Sequence, residues 1–230
     1  MARILAFSGS TRTGSINGRL LSAVIPVVEA KGAKVTPIDL RDFEMPLYNG
    51  DLEADEGLPE ATLRLKALMK EHDGMLIASP EYNGSFTPLL KNTLDWCSRR
   101  DESDDGPLAV YRNRTAAIVA ASGGKFGGMR SLTHLRQLLT NLGLLVIPQQ
   151  VAVGGFNDAI GEDGSIRDEG IARMIDGLAE RWFGSIAPDA AVQGRRATIR
   201  RASAVTRWSA PVGSCEYLSS APNRSRKRCS

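Results

Sequence analysis

Three stretches of this chain carry residue types that hold and orient a polar ligand. The first is SGSTRTGSIN, residues 8–17, where Ser8, Ser10, Thr11, Thr13 and Ser15 bring hydroxyls, and Asn17 an amide, to the point at which a helix begins. The first turn of a helix exposes unpaired N–H groups and the positive end of its dipole, so such a loop favours an anion. The second stretch is SPEYNGS, residues 79–85. Pro80 fixes one torsion, Asn83 and Gly84 tolerate left-handed backbone, and Tyr82 adds a flat aromatic face. Such a loop can offer backbone N–H groups to the edge of a planar ring and lay an aromatic beside it. The third is SGGKFGG, residues 122–128, whose glycines let the backbone approach a flat ligand while Ser122 faces its edge. Taken alone, the third signal is unspecific, because glycine-rich turns after strands are common.

Each loop follows an apolar run too short for a helix: residues 3–7, 75–78 and 115–121. Each precedes an amphipathic segment. Residues 18–31 place Leu20, Leu21, Val24 and Val28 on one face, with Pro26 expected to kink the helix or end it early. Residues 86–97 repeat the pattern with Phe86, Leu89, Leu90, Leu94 and Cys97, and residues 129–142 with Leu132, Leu135, Leu138, Leu139 and Leu142, ended by Gly143. Further helices are expected over 58–72, with Leu63, Leu65, Ala67 and Leu68 apolar, and over 168–183, with Ile171, Ile175, Leu178 and Trp182 inward. Residues 34–40 and 144–153 complete a set of five strands, and Pro37 suggests that the second lies at an edge. Five alternations of strand and helix predict an α/β fold with a doubly wound parallel sheet. All three loops then sit at its carboxyl end and converge on one crevice.

The run SPEYNGSFTPLLKNTLDW resembles the flavin-contacting segment of the NADPH-dependent FMN reductases, a flavodoxin-like group that includes quinone, chromate and azo-dye reductases. The first loop is similar to that family's Gly-Ser-x-Arg-x-x-Ser-x-Asn pattern, matched by Gly9, Ser10, Arg12, Ser15 and Asn17. The resemblance covers about residues 3–184. It implies the strand order 2-1-3-4-5, with which an edge second strand agrees. What the first loop lacks points the same way: Ser15 and Ile16 stand where an NTPase loop has Lys and Ser or Thr, and there is no G-x-G-x-x-G. A single terminal phosphate, as in FMN, is the best match.

The resemblance further implies FMN and NADPH as cofactors and hydride transfer from NADPH to FMN. A small acceptor would follow: a quinone, azo compound, metal oxyanion or free flavin. The implied flavin-binding residues are Ser10, Arg12, Ser15, Ile16 and Asn17; Pro80, Glu81, Tyr82, Asn83 and Gly84; and Ser122, Gly123 and Gly124. No side-chain acid or base is required, so no catalytic residue is named and no metal ligand is expected. A homodimer or homotetramer with the flavin near the subunit interface is carried over in the same way. Two other readings stand beside it: an FMN-holding electron carrier that docks to partner proteins, and a flavin-free interaction protein on the same fold.

The remaining segments say less. The long loop 41–58 could bring Met45, Pro46 and Tyr48 to the flavin or to a partner subunit, or simply be solvated. Residues 98–114 read as an exposed polar connection, with Arg99 and Arg100, like Lys125, more simply solvated than bound to a nucleotide. His72 reads as a helix C-terminal histidine and His134 as a surface or subunit contact. A chain of 230 residues, 42% hydrophobic, suffices for one domain, taken as 1–186, plus a tail at 187–230. The tail carries nine basic against two acidic residues, whereas the rest is mildly acidic. It lacks an apolar period and is expected to be disordered; binding to nucleic acid is less simple than an unselected extension. No run is long enough for a membrane span or a signal-peptide core, and Cys97, Cys215 and Cys229 form neither metal-ligand spacing nor an even disulfide set. Cytoplasmic localisation is the expectation.

Overall fold

Short apolar runs become strands because parallel strands covered on both faces need no polar alternation. The structure, a computed structural model, describes residues 1–186. The tail expected at 187–230 lies outside the described residues. In chain order the elements are β1 (Arg3–Ser8), α1 (Ile16–Ala30), β2 (Lys34–Pro37), a 3₁₀ turn (Leu40–Phe43), α2 (Gly50–Glu56), α3 (Glu60–Lys70) and β3 (Gly74–Ala78). Then follow α4 (Pro88–Ser98), β4 (Thr115–Ala121), α5 (Met129–Asn141), β5 (Leu145–Val153), α6 (Phe156–Ala159) and α7 (Glu169–Ile186). The five strands form one parallel sheet in the order β2-β1-β3-β4-β5, as expected.

Helices cover both faces. On one, α1 and α7 pack Leu20, Val24, Val28, Ile175, Leu178 and Trp182 against Ile4, Ala6, Leu76, Ala117 and Val119. On the other, α3, α4 and α5 pack Leu65, Met69, Leu90, Leu94, Leu132, Leu135 and Leu139 against Phe7, Met75, Ile77 and Ile118. Every residue of β3 is buried.

Several expectations need correction. Pro26 does not end α1, which runs four residues further. Pro26 and Ser22, whose carbonyl loses its helical donor, are exposed, so water can take that bond, while buried Val24 and Val28 hold the helix to the sheet. β2 stops at Pro37 rather than at 40, because proline cannot continue the ladder. The 41–58 loop is largely structured by the 3₁₀ turn and α2, and is clamped to α4: Asn92 Nδ2 and Trp96 Nε1 both donate to Pro46 O at 2.8 Å, and Tyr48 N donates to Asn92 Oδ1 at 2.8 Å. In α3 the buried face is Thr62, Leu65, Lys66 and Met69, with Leu63 and Ala67 exposed.

The buried lysine explains that shift and also corrects the reading of 98–114. Lys66 Nζ lies 2.5 Å from Asp101 and 2.7 Å from Asp104 and donates to Arg99 O. Lys70 adds a 2.6 Å contact to Asp104. Val110 and Tyr111 of the same segment are buried and join the core, while Arg99, Arg100, Glu102, Ser103 and Asp105 stay exposed as expected. β5 also departs from a regular strand: three residues of β4, from Ala116 to Ile118, face five of β5, from Val146 to Gln150. Arg136 of α5 fills the irregularity, donating to Ile147 O at 2.7 Å and to Pro148 O at 3.2 Å.

Candidate functional site

The loops after β1, β3 and β4 leave the same edge of the sheet, as parallel strands require. The first is held against the second: Gly9 N donates to Ala78 O at 2.8 Å, and Thr87 Oγ1 donates to Gly9 O at 2.7 Å while accepting from Leu90 N as the N-cap of α4. Thr87 escaped the sequence reading, although Thr followed by Pro ahead of an apolar run is an N-cap signal. It ties α4 to the anion loop.

Within the first loop, Ser15 caps α1 by accepting from Gly18 N at 3.3 Å. Asn17 is buried, donates Nδ2 to Ala121 O at 3.0 Å and accepts Ala121 N at 2.9 Å. Its amide therefore joins the first loop to the third, leaving its backbone N–H for a ligand. Ser10 Oγ accepts from Arg12 N. Arg12 is exposed, and Ser8 Oγ is buried without a hydrogen-bond partner among the described residues. A cleft of about 470 Å³ opens here, lined by Ser8, Ser10, Arg12 and Ser15 on one side and by the end of β2 through Arg41 on the other.

The second loop is a two-residue hairpin. Tyr82 and Ser85 exchange backbone bonds of 2.8 and 3.1 Å, and Asn83 and Gly84 both have left-handed φ, 51° and 83°. That is the pair of conformations for which Asn-Gly is favoured. Pro80 is buried, Tyr82 is 55% exposed, and a Cβ at Gly84 would meet nothing within 4 Å. Glu81 is brought to the loop, but its carboxylate faces the start of α5, accepting Arg130 N at 3.1 Å and Ser131 N at 3.2 Å.

In the third loop the glycines divide by role. A Cβ on Gly127 would lie 2.6–2.7 Å from the backbone of Ala152, Val153 and Gly154, so Gly127 lets the loop pack on the end of β5. Gly123 has open space there, and Ser122 donates Oγ to Gly124 O at 3.1 Å. Gly154 on β5's side, unforeseen from sequence, meets Lys125 O in the same way.

Hydroxyls, helix-start N–H groups and a free arginine at one corner, with an aromatic and two glycine-lined faces beside it, suit a planar ring carrying a phosphate chain. The buried, unpartnered Ser8 Oγ and the open faces at Gly84 and Gly123 fit such a group. Residues 2–158 match the family model of the NADPH-dependent FMN reductases. The chain belongs to that family. It is similar to a rice protein named as a probable NADPH:quinone oxidoreductase, 43% identical over 59% of this chain and 63% of the relative. An NAD(P)H-dependent FMN reductase of Pseudomonas aeruginosa is 34% identical over 75% of this chain and 89% of its own length. Among solved structures, the flavoenzyme NAD(P)H:(acceptor) oxidoreductase FerB of Paracoccus denitrificans aligns with 81% of this chain and 97% of its own, at TM-score 0.67 and 26% identity. This FMN reductase family member is thus an FMN- and NAD(P)H-dependent oxidoreductase.

Other reactive side chains, His134 excepted, stand apart from the three loops. Burial pushes the Cys97 thiol up to about 12, which keeps it from acting as a nucleophile. His72 donates Nδ1 to Leu68 O at 2.6 Å and meets Thr36 Oγ1 at 2.9 Å, closing the end of α3. His134 is exposed and reaches Ser85 Oγ at 3.2 Å. Arg99 pairs with Glu53 at 2.8 Å. Among the described residues no helix is long and apolar enough to cross a membrane.

Proposed function

We propose that this protein holds FMN across its three carboxyl-edge loops and reduces small planar or oxyanionic acceptors, quinones foremost, at the expense of NADPH. The observation that carries the reading is the convergence of the three loops with polar groups left open between them. When bound, FMN supplies the carrier that takes a hydride from the nicotinamide and passes electrons on. The chain's own residues bind, orient and shield. Ser10, Arg12 and Ser15, with the first N–H groups of α1 at Ile16 and Asn17, hold the phosphate. The backbone from Pro80 to Gly84 supports one side of the ring, with Tyr82 beside it. Gly123 and Gly124 present N–H donors to the edge where negative charge develops on reduction, and Ser122 shapes that turn through its bond to Gly124 O.

A quinone needs only to stack on the ring's open face, which accords with the exposure of Tyr82 and Phe126 beside the loops. That exposure also suits a homodimer or homotetramer in which a neighbouring subunit covers the site; the reading places the enzyme in the cytoplasm. The test is the visible spectrum of the purified protein before and after anaerobic NADPH, followed by addition of a benzoquinone. Flavin bands that bleach and then return with quinone support the reading. Bands that NADPH leaves unchanged, or no bands after FMN is supplied, refute it.

A further inference from the structure

The loop that carries the aromatic and the loop that carries the glycines come from different strands, and one carboxylate spans them. Glu81 Oε2 accepts the N–H groups of Arg130 and Ser131, and Oε1 accepts Arg130 Nε at 2.8 Å with the other guanidinium nitrogen at 2.6 Å. The Glu81 side chain is 11% exposed, while that of Arg130 is 66% exposed. α5 has no cap of its own: the residue before it, Gly128, has φ 84° and no side chain to offer. Glu81, 49 residues upstream of Arg130, takes that place.

A carboxylate at a helix start gains from the free N–H groups and the dipole, and the arginine adds two charge-assisted contacts to Oε1. The same junction is closed on its inner side by Ser131, whose Oγ donates to Gly128 O at 2.8 Å and approaches Ser79 O at 3.4 Å. The hairpin's far end is pinned more lightly through Ser85 and His134. The Asn83–Gly84 turn is closed by the two Tyr82–Ser85 backbone bonds, and the contacts of Glu81, Ser131 and His134 join it to α5.

We infer that Glu81 is a positioning residue: with Arg130 and the start of α5 it fixes the Tyr82 hairpin against the glycine loop, and so sets the width of the slot for the flavin ring. This inference rests on the proposed FMN site. It departs from a direct ligand role for the Glu81 side chain, since both oxygens are engaged by α5. Loss of the carboxylate leaves the fold's core intact and lets the hairpin and glycine loop separate.

The experiment compares wild type, E81A, E81Q and R130M by FMN fluorescence titration, by turnover per bound flavin with NADPH, and by melting temperature of the apoprotein. E81A is expected to raise the FMN Kd and lower turnover per bound flavin, each roughly tenfold, the scale of losing a charged hydrogen bond. E81Q, which keeps an oxygen for the helix N–H groups but loses the charge, should recover part of both. R130M, changed at an exposed side chain that cannot collapse the fold, should resemble E81Q. Kd and turnover per bound flavin within twofold of wild type in E81A and R130M would overturn the inference, whatever the melting temperatures do. A wild type that binds no FMN removes the functional reading and this inference together, whereas normal wild-type binding with unaffected variants removes the inference alone.

Discussion

The two edges of one sheet solve opposite problems. At the amino edge and the segment leading to it, polar groups are tied off inside the protein. Arg114 donates to His72 O, Ala109 O and Lys70 O at 2.8–2.9 Å, Arg3 N donates to Asp73 at 2.8 Å, and Lys66 is closed in by Asp101 and Asp104. At the carboxyl edge Ser8, Arg12 and the open faces of Gly84 and Gly123 have no internal use among the described residues. Buried polar groups are costly unless paired, so a region that leaves them open points to a ligand, and one that pairs them points to rigidity. Stability should therefore be concentrated at the first edge and binding at the second.

The strongest challenge to that division is K66M. It leaves Asp101 and Asp104 buried without their main partner, and should destabilise the protein by about 3–5 kcal/mol in urea unfolding at pH 7. Turnover per bound flavin should persist below the melting transition. An equal loss of FMN affinity in the folded state would break the comparison.

The pH dependence sharpens it. Burial by itself raises the pKa of both aspartates, but Lys66, aided by Ser103 at Asp101 and by Lys70 at Asp104, outweighs burial and holds them below the usual carboxylate range. A depressed folded-state pKa stabilises above the unfolded value, near 4, and that stability disappears as pH falls through the folded value. Wild type should thus weaken on acidification below about pH 4. In K66M the buried carboxylates gain from protonation, so the gap between the two proteins should narrow from pH 7 to pH 3, as followed by denaturant midpoints.

The third loop allows the comparison within a few residues. G127A puts a methyl group against the β5 backbone at a φ of 60° and should cost about 2–4 kcal/mol in thermal unfolding. G123A meets open space and should leave the apoprotein within about 0.5 kcal/mol of wild type while weakening FMN binding in a titration. The reverse pattern would mean that the loop packs differently. Finally, R12M should raise the FMN Kd by roughly tenfold with no change in apoprotein melting, since Arg12 is exposed and serves no internal contact among the described residues.

The sequence by itself determined the alternation of strands and helices, the three loops and the left-handed Asn83–Gly84 turn. These follow from local rules: apolar runs of four to seven residues, helical spacing of leucines, and the few residue types that accept positive φ. Only the tertiary structure decided which polar groups are paired inside the protein and which are left open among the described residues. Lys66 reads as part of an exposed helix face until Asp101 and Asp104 arrive from 35 residues or more along the chain, and the region 98–114 reads as solvated for the same reason. Asn17 and Glu81 carry the marks of ligand contacts, yet one bonds Ala121 and the other the start of α5. Charge pairing and helix capping across loops are long-range, and no local spacing records them; the periodicity of the core is local, and the sequence states it directly.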